Sequence, residues 1–305
     1  MNSVETIIPI IAMIIIGYVL RRTNVLKAEA AVPLNKIVIN ITIPSLIFMA
    51  LYKTNLAILP LISPIPFICV CVGLTCGLIA YLISTALKYP AKTKWSIVIT
   101  SAMFNSGFLG YPVVLGVFGT AGLVRAIFYD LGSMILFLCF GVFFLLMLGG
   151  KYSDILKRTF LFPPLWGVVL GLLLNFLNVD IGFITSQTLN YLSGAAIPLI
   201  MISLGLTLEF KGIKEHIKAV SLVSTIKLFI APLIAITIVS ILGMGGLEKP
   251  VTILEAGMPS AMLALVLAIT YDLDIKVAAA CIFASTIFSM ITIPVMLLFL
   301  SGTMF

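Results

Sequence analysis

Charged residues are scarce in this sequence. Only 10% of its 305 residues are Asp, Glu, Lys or Arg, whereas 62% are apolar. Soluble globular proteins carry about 25% charged residues, so this chain lacks the polar surface that a water-soluble fold needs. The scarcity excludes a soluble enzyme or a soluble binding domain, and it predicts that the lipid bilayer surrounds the chain.

Residues that carry out hydrolysis inside membranes are also missing. The single histidine, His216, lies among charged residues between two apolar segments, and neither an HExxH nor a GxSxG motif occurs. No pair of aspartates lies near the middle of two apolar segments. Metallo-, serine and aspartyl proteases each need one of these groups. We therefore expect no enzymatic activity, and an intramembrane enzyme is only a remote alternative.

The five cysteines form no CxxC pair, and each lies inside an apolar segment. A disulfide framework or a zinc site would have a different spacing, whereas small buried apolar side chains fit this one. The residues are Cys69, Cys71, Cys76, Cys139 and Cys281. We expect neither disulfides nor an organic cofactor.

The net charge of +7 comes from basic residues that form no groove interleaved with aromatic residues. This pattern argues against a nucleic-acid partner. The first apolar segment has no Lys or Arg before it and is followed by Arg21 and Arg22. A signal peptide has the reverse order of charge, so this segment is predicted to remain in the membrane.

Apolar segments of about 20 residues, long enough to cross a bilayer, recur along the whole sequence. Ten spans are predicted, at residues 5–21, 32–52, 60–87, 95–118, 122–148, 161–178, 185–209, 217–242, 250–270 and 276–300. An even number of spans places both termini on the same side. The sequence therefore predicts an all-α, multi-pass protein of the cell membrane.

Lys and Arg are distributed unequally between the two sets of alternating loops. Those after odd-numbered spans contain Arg21, Arg22, Lys27, Lys36, Lys88, Lys92, Lys94, Lys151, Lys157, Arg158, Lys211, Lys214, Lys218 and Lys276. The remaining loops contain Lys53, Arg125 and Lys249. Basic residues favour the cytoplasmic side, so the N and C termini are both predicted to lie outside.

Identical residues recur 154 positions apart, which indicates an internal repeat. The pairs include Pro9 and Pro163, Gly17 and Gly171, Asn24 and Asn178, Val25 and Val179, and Pro44 and Pro198. We assign the repeats to residues 1–150 and 151–305, with five spans in each. An odd number of spans inverts the second repeat relative to the first. Secondary transporters use such inverted repeats and bind substrate near the membrane midplane between them.

The middle of span four is predicted to be broken. Polar residues, glycine and proline cluster there, at Asn105, Ser106, Gly107, Gly110 and Pro112. Asn105 follows Trp95 by ten residues, which is about 15 Å along a helix and half the thickness of the hydrocarbon core. Isolated kinks without function are the alternative interpretation of such residues in a membrane helix.

Span nine contains a matching break at Met258, Pro259 and Ser260, and it occupies the equivalent position of the second repeat. Beyond each break a half-helix would begin, with Ser106 and Ser260 near the cap positions. Each helix N-terminus carries about half a positive charge. Two such ends that face each other at the midplane would favour a bound anion.

Glu255 is an acidic residue inside span nine, and such residues often mark ion sites. Pro259 has no N–H to donate to the carbonyl of Glu255 four residues earlier, so that carbonyl and the carboxylate could together bind sodium or a proton. Pro44 is expected to free the carbonyl of Asn40 in the same way. A protonated Glu255 that only stabilises the helix bundle is the alternative.

Three further polar residues in predicted spans leave alternatives open. Asp130 and Ser133 in span five could supply oxygens to the ion site, or Asp130 could pair with Arg125 near the interface. Lys227 in span eight is expected to extend towards the cytoplasmic surface, in preference to acting as a counter-ion inside the bundle.

Several motifs together resemble the auxin efflux carrier family. They are IGYVLRR at 16–22, AVPLNKIVINITIPSLIF at 31–48, NSGFLGYP at 105–112, APLIAITIVSILG at 231–243 and AGMPSAMLALVLAITYDLD at 256–274. The resemblance covers essentially the whole chain, without the long central loop of the plant members. It implies ten helices in two inverted five-helix repeats, with broken spans four and nine that cross. It also implies transport of an organic anion such as auxin, malate or malonate, and a homodimer.

The stretch from Glu255 to Met258 also resembles a helix of the bile acid sodium symporters, in which the glutamate contributes to a sodium site. Pro259 and Ser260 stand where those symporters have Gln and Asn. The difference removes two amide oxygens from the sodium site that the resemblance implies.

The sequence thus predicts a secondary active transporter of a small organic anion, such as a carboxylate or an auxin-like compound. The predicted substrate-binding residues are Asn40, Asn105, Ser106, Gly107, Pro112, Met258, Pro259 and Ser260. Ion coupling is assigned to Glu255, Asp130 and Ser133, with sodium at Glu255 or a proton in its place. A passive anion channel or uniporter is the alternative, because sequence does not show whether two gates open together.

Overall fold

The computed structural model of the chain describes residues 3–149, 160–208 and 212–302. Within these ranges the regular structure is helical, apart from one isolated antiparallel bridge. The all-α prediction is therefore confirmed for the described part of the chain. Four basic residues used for the predicted orientation, Lys151, Lys157, Arg158 and Lys211, lie outside the described residues.

We number the α-helices of the described residues in chain order. They are α1 (Ser3–Arg22), α2 (Ala31–Ile37), α3 (Ile43–Tyr52), α4 (Leu59–Ile62), α5 (Ile65–Ala86), α6 (Ala91–Ala102), α7 (Tyr111–Leu148), α8 (Pro163–Phe176), α9 (Gly182–Gly194), α10 (Ala196–Thr207), α11 (Ile217–Thr225), α12 (Ala231–Ile241), α13 (Glu248–Ala256), α14 (Met262–Thr270) and α15 (Ile275–Gly302).

Six helical segments of the described residues are long and apolar enough to cross a membrane. They are Ala28–Tyr52, Leu56–Ala86, Ser106–Leu148, Gly182–Thr207, Ile217–Ile241 and Ile275–Leu300. The Ser106–Leu148 segment contains a turn at Gly119, whose φ of 65° lies in the left-handed region that glycine adopts readily. The predicted number of ten spans stays a prediction.

Three helical segments contain a five-residue π-helical turn, at Val38–Thr42, Ser106–Gly110 and Ile226–Ile230. Each turn is followed by a proline two residues later: Pro44, Pro112 and Pro232. Proline cannot donate to the carbonyl four residues earlier and its ring crowds that turn, so the helix widens at these places. π-Helical turns are frequent at functional sites.

The chain divides into two compact units. Unit 1 contains residues 1–61, 111–124 and 156–208, and unit 2 contains residues 62–110, 125–155 and 209–305. Each unit takes segments from both predicted repeats. The two units therefore divide the chain differently from the predicted repeats 1–150 and 151–305. Those repeats stay a prediction.

Unit 1 is built on two close helix pairs, α1 with α10 and α3 with α8. A Cβ atom on Gly17 would lie 2.9 Å from the carbonyl carbon of Ile202, and one on Gly171 would lie 3.0 Å from the carbonyl oxygen of Phe48. Small residues at such positions let helix backbones approach in membranes. Gly17 and Gly171 are 154 residues apart, as are Phe48 and Ile202, so the two contacts are equivalent at the spacing of the predicted repeat.

Two polar side chains of unit 1 bind the carbonyl groups at the ends of neighbouring helices. Arg21 donates to the carbonyl oxygens of Leu206 and Leu208, at 3.1 and 2.8 Å. Asn175 donates to those of Leu51 and Thr54, at 2.7 and 2.8 Å. Arg21 and Asn175 are also 154 residues apart.

Unit 2 contains a buried ion pair between α7 and α13. The guanidinium group of Arg125 donates from Nε and from one terminal nitrogen to Oε1 of Glu248, at 3.0 and 2.6 Å. The Arg125 and Glu248 side chains are each 9% exposed. In the first half of α6, the Thr93 hydroxyl donates to the carboxylate of Asp274, and the Ser96 hydroxyl donates to the backbone carbonyl of the same residue.

Candidate functional site

The predicted breaks in spans four and nine are present, and both lie in unit 2. The first separates α6 from the helical turn that begins at Ser106, and the second separates α13 from α14. The chain passes through each break in an extended form, at residues 103–105 and 259–261. We call this pair of segments the crossover.

The two segments of the crossover are joined as a minimal antiparallel ladder. Phe104 and Ser260 form the bridge. The Asn105 N–H donates to the carbonyl of Pro259 at 2.9 Å, and the Ala261 N–H donates to the carbonyl of Met103 at 3.2 Å. These bonds flank the Phe104–Ser260 pair, which is therefore a non-hydrogen-bonded pair whose side chains lie on the same side.

Side chains alternate between the two faces of an extended segment. Phe104 and Ser260 consequently share one face of the crossover, which we call the rear face. Met103, Asn105, Pro259 and Ala261 belong to the opposite face, which we call the front face. The predicted substrate residues Asn105 and Ser260 thus project to different sides, which sequence spacing alone did not indicate.

A half-helix begins after each break. In span four it begins at Ser106, as predicted, and the Leu109 and Gly110 N–H groups both donate to the carbonyl of Asn105, at 3.2 and 3.1 Å. The first N–H groups of a helix have no intrahelical partner and favour negative charge.

In span nine the half-helix begins at Met262, with Ala261 as its N-cap residue and no capping side chain. Ser260 directly precedes this N-cap residue and so lies near the cap, as expected, but it does not cap the helix: it forms the bridge, and its N–H donates to Ser285 Oγ at 3.2 Å. Met258 forms the turn that ends α13.

Glu255 lies in the last turn of α13 with 0% of its surface exposed, and neither carboxylate oxygen has a hydrogen-bond partner among the described residues. The carboxylate packs against Gly110, where a Cβ atom would lie 2.7 Å from Glu255 Cδ. Glycine at position 110 therefore makes room for the acid beside the first turn of the half-helix.

The carbonyl of Glu255 is not left free by Pro259, contrary to the prediction. It accepts a hydrogen bond from the Met258 N–H at 3.1 Å, because the end of α13 tightens into a turn at the break. Of these two groups of Glu255, the carboxylate is the one without a hydrogen-bond partner among the described residues.

Asp130 lies beside the same helical turn and accepts a hydrogen bond from the hydroxyl of Ser106. Its other oxygen lies 3.5 Å from the position that a Cβ atom on Gly107 would take. Ser106 Oγ lies 3.3 Å from Ser133 Oγ, which in turn lies 3.5 Å from Cys69 Sγ. Asp130 and Ser133 are thus brought together with Ser106, and their predicted role in ion coupling stays a prediction.

The expectation for Lys227 is wrong. Lys227 is 0% exposed and its Nζ has no hydrogen-bond partner among the described residues. Nζ lies 3.1 Å from the centroid of the Phe104 ring instead. The π-helical turn Ile226–Ile230 contains this lysine, so the local direction of its side chain differs from that of a regular helix.

Two predicted substrate residues belong to unit 1, whereas the crossover belongs to unit 2. Asn40 belongs to unit 1, in the π-helical turn Val38–Thr42, where it is exposed and its amide donates to the carbonyl of Lys36 at 2.7 Å. Pro112 is the second residue of α7 and also belongs to unit 1. Their proposed roles stay predictions.

Sequence reasoning did not identify Phe104 as part of the site. Its ring lies edge-on to Tyr129, with centroids 5.6 Å apart and an interplanar angle of 79°, and its face lies against Lys227. The only signal in the sequence was its position next to Asn105 in the predicted break.

Comparison with known proteins identifies one family. The sequence profile of the family described as "Membrane transport protein" matches residues 2–156 and 151–297. These two matches cover nearly the whole chain.

Three relatives illustrate the range of similarity. An "uncharacterized transporter" of Methanothermobacter thermautotrophicus is 46% identical over 294 residues, which are 96% of this chain and 97% of the relative. One of Methanocaldococcus jannaschii is 37% identical over 300 residues, again 96% and 97% of the two chains. The uncharacterized transporter YfdV of Escherichia coli is 21% identical over 300 residues, 94% of each chain.

Proposed function

Because this chain belongs to the membrane transport protein family, the family of the auxin efflux carriers, we propose that it is a secondary active transporter of a small organic anion. The membership confirms the resemblance found in the sequence, and it makes the chain a multi-pass membrane protein. A carboxylate or an auxin-like compound is the proposed class of substrate.

The crossover is the observation that carries this proposal. Two broken helices meet through the Phe104–Ser260 bridge, and a half-helix begins within two residues of it on each chain segment. Broken helices of this kind form the substrate sites of secondary transporters, with the half-helix N-termini directed at anionic groups of the substrate. The proposed anion lies on the front face, where the Asn105 amide can donate to it.

Ion coupling is proposed at the two carboxylates beside the Ser106–Gly110 turn. The Asp130 carboxylate lies against Gly107 and the Glu255 carboxylate lies against Gly110, so both contact the same five-residue turn. Two ionised carboxylates along one short turn repel each other, so binding of a sodium ion or a proton would stabilise the pair. The same turn begins the half-helix whose N-terminus is proposed to face the anion. The bound cation and the bound anion would therefore both interact with the Ser106–Gly110 turn.

Ten spans in two inverted repeats, with both termini outside, complete the proposal. Support comes from the contacts of unit 1 that recur at a separation of 154 residues. Further support comes from Asn24 and Asn178, which have φ values of 58° and 51° and lie at the same separation.

We expect single cysteines to report this orientation by their reaction with maleimides in intact cells. In a variant without the five native cysteines, Lys53→Cys should react with an impermeant maleimide, whereas Lys92→Cys and Lys214→Cys should react only with a permeant one. Lys157→Cys, outside the described residues, should behave like Lys92→Cys. Labelling of Lys53→Cys and Lys92→Cys from the same side of the membrane would contradict the proposed topology.

The substrate class can be tested on purified protein by thermal unfolding with a panel of mono- and dicarboxylates, with and without sodium. A ligand that binds only the folded state raises the unfolding temperature by mass action. We expect carboxylates to do so, and neutral amide analogues to have no effect. Equal stabilisation by the amides would argue against an anion site.

The best carboxylate of that panel should then be tested in proteoliposomes. A secondary active transporter accumulates it against its own gradient when a sodium or proton gradient is imposed, and the flux saturates. Flux that only dissipates the carboxylate gradient, whatever the ion gradient, would favour the passive channel or uniporter.

Asn105→Ala should weaken binding of that carboxylate about tenfold or more, because a hydrogen bond to a charged group contributes about 1.5–3 kcal/mol. The backbone bond from Asn105 to Pro259 is retained in the variant, so the crossover and the yield of folded protein should persist. Asn190→Ala is the control, since this amide accepts a hydrogen bond from Lys53, a residue of a predicted loop. Unchanged affinity in Asn105→Ala would place the anion elsewhere.

A further inference from the structure

The side chain of Lys227 is buried behind the crossover, and among the described residues its amino group lies against the ring of Phe104. The Lys227 ammonium group has three N–H donors, none of which binds an acceptor among the described residues. Its Nζ lies 3.1 Å from the centroid of the Phe104 ring. Attraction between a cation and the face of an aromatic ring is strongest when both are removed from water, and Lys227 and Phe104 are 0% and 2% exposed.

The local structure directs Lys227 towards this ring. The π-helical turn Ile226–Ile230 precedes Pro232 in α12, and it changes the direction of the side chains relative to a regular helix. The thiols of Cys69 and Cys76, both on α5, interact electrostatically with this amino group. Neither thiol is an acceptor that could replace a carboxylate, so the ring remains the principal partner.

Phe104 connects this cation to the crossover. Its backbone forms the bridge with Ser260, and its side chain projects from the rear face, opposite to Asn105. The ring is further fixed by its edge-on contact with Tyr129. An anion on the front face would therefore be separated from the ammonium by the Phe104 ring and the backbone of the crossover.

We propose that Phe104 is a positioning residue whose ring holds the Lys227 ammonium group against the rear face and keeps it out of contact with the transported anion. The anion is then attracted through an apolar layer, where charges are poorly screened, but it forms no direct ion pair. A direct buried ion pair would dissociate slowly, since each separated charge would remain desolvated. The statement about the anion rests on the proposed function, whereas the link between the ring and the ammonium does not.

A double-mutant cycle on thermal unfolding, without substrate, tests that link. Phe104→Leu removes the aromatic face at similar volume, and Lys227→Met removes the charge. We expect Phe104→Leu to lower the unfolding temperature at least twice as much in the protein with Lys227 as in the Lys227→Met variant. Only in the protein with Lys227 does loss of the ring leave a buried charge without its partner. Phe104→Tyr, which keeps the aromatic face, should retain the coupling.

An equal effect of Phe104→Leu in the two backgrounds, whether a partial or a complete loss of folded protein, would overturn the proposal. A structural role of the ring alone predicts this equality, because such a role does not depend on the charge at position 227.

The second measurement tests whether the ring separates the lysine position from a solvent-borne anion. In a variant without native cysteines, Lys227→Cys is exposed to a methanethiosulfonate reagent that carries a sulfonate group. We expect the reaction to be at least tenfold faster when Phe104→Ala is also present. An unchanged rate would show that the ring is not the barrier. Neither experiment uses a transported compound, so failure of the proposed function can be recognised separately.

Discussion

Glu255→Gln should fold, still bind the carboxylate weakly, and lose accumulation driven by an ion gradient. The substitution preserves the size of the side chain beside Gly110 but removes its charge. An ionised acid within a membrane costs about 3 kcal/mol on insertion scales, and this carboxylate has no hydrogen-bond partner among the described residues. A cation that neutralises it should therefore bind, and glutamine should bind neither sodium nor a proton.

The measurement is uptake into proteoliposomes with an imposed sodium gradient or pH gradient, compared with uptake when no gradient is present. Glu29→Gln is the matched control, because Glu29 is exposed in the short turn Ala28–Ala30. The control should behave like the wild type. If Glu255→Gln kept the sodium and pH dependence of the wild type, the acid would have a structural role only.

Arg125→Ala should destabilise the protein by about 3–5 kcal/mol, the range seen when one partner of a buried ion pair is removed. Glu248 would then remain buried without its cation, at the first residue of α13. This helix ends at the crossover, so a loss of its position should also reduce transport. The unfolding temperature in detergent is the measurement.

Lys92→Ala is the control for this prediction. Lys92 pairs with Asp272, and the two side chains are 63% and 86% exposed, so its removal should change stability by about 0–1 kcal/mol. Exchange of the buried partners, Arg125→Glu with Glu248→Arg, should recover much of the stability that either single change removes. Equal effects of Arg125→Ala and Lys92→Ala would contradict the assignment of a buried pair.

The breaks could be predicted because their causes are local. Pro259 cannot complete a helical hydrogen bond, and the cluster from Asn105 to Pro112 combines polar residues with glycine and proline inside an apolar span. These residues interrupt a helix whatever surrounds them. The same local logic located Ser106 at the start of the half-helix in span four.

Other features depend on contacts between distant residues and could not be predicted. Arg125 and Glu248 are 123 positions apart, and the sequence suggested only Asp130, five residues from Arg125, as its partner. Lys227 was assigned to the membrane surface because lysine side chains often extend there. Its direction depends on a π-helical turn and on a ring from another span, and neither is visible in the local pattern.

If the proposed inverted repeats are present, Arg21 and Asn175 of unit 1 let a symmetric fold contain an asymmetric insertion signal. Each of these two side chains donates to carbonyl oxygens at the end of a neighbouring helix. In the proposed orientation Arg21 lies at the cytoplasmic end of its helix, where a positive charge assists insertion. Asn175 lies at the outer end, where a neutral amide can bind the same carbonyl groups without a competing charge. Exchange of the two residues would preserve both contacts but place the topogenic charge on the wrong side.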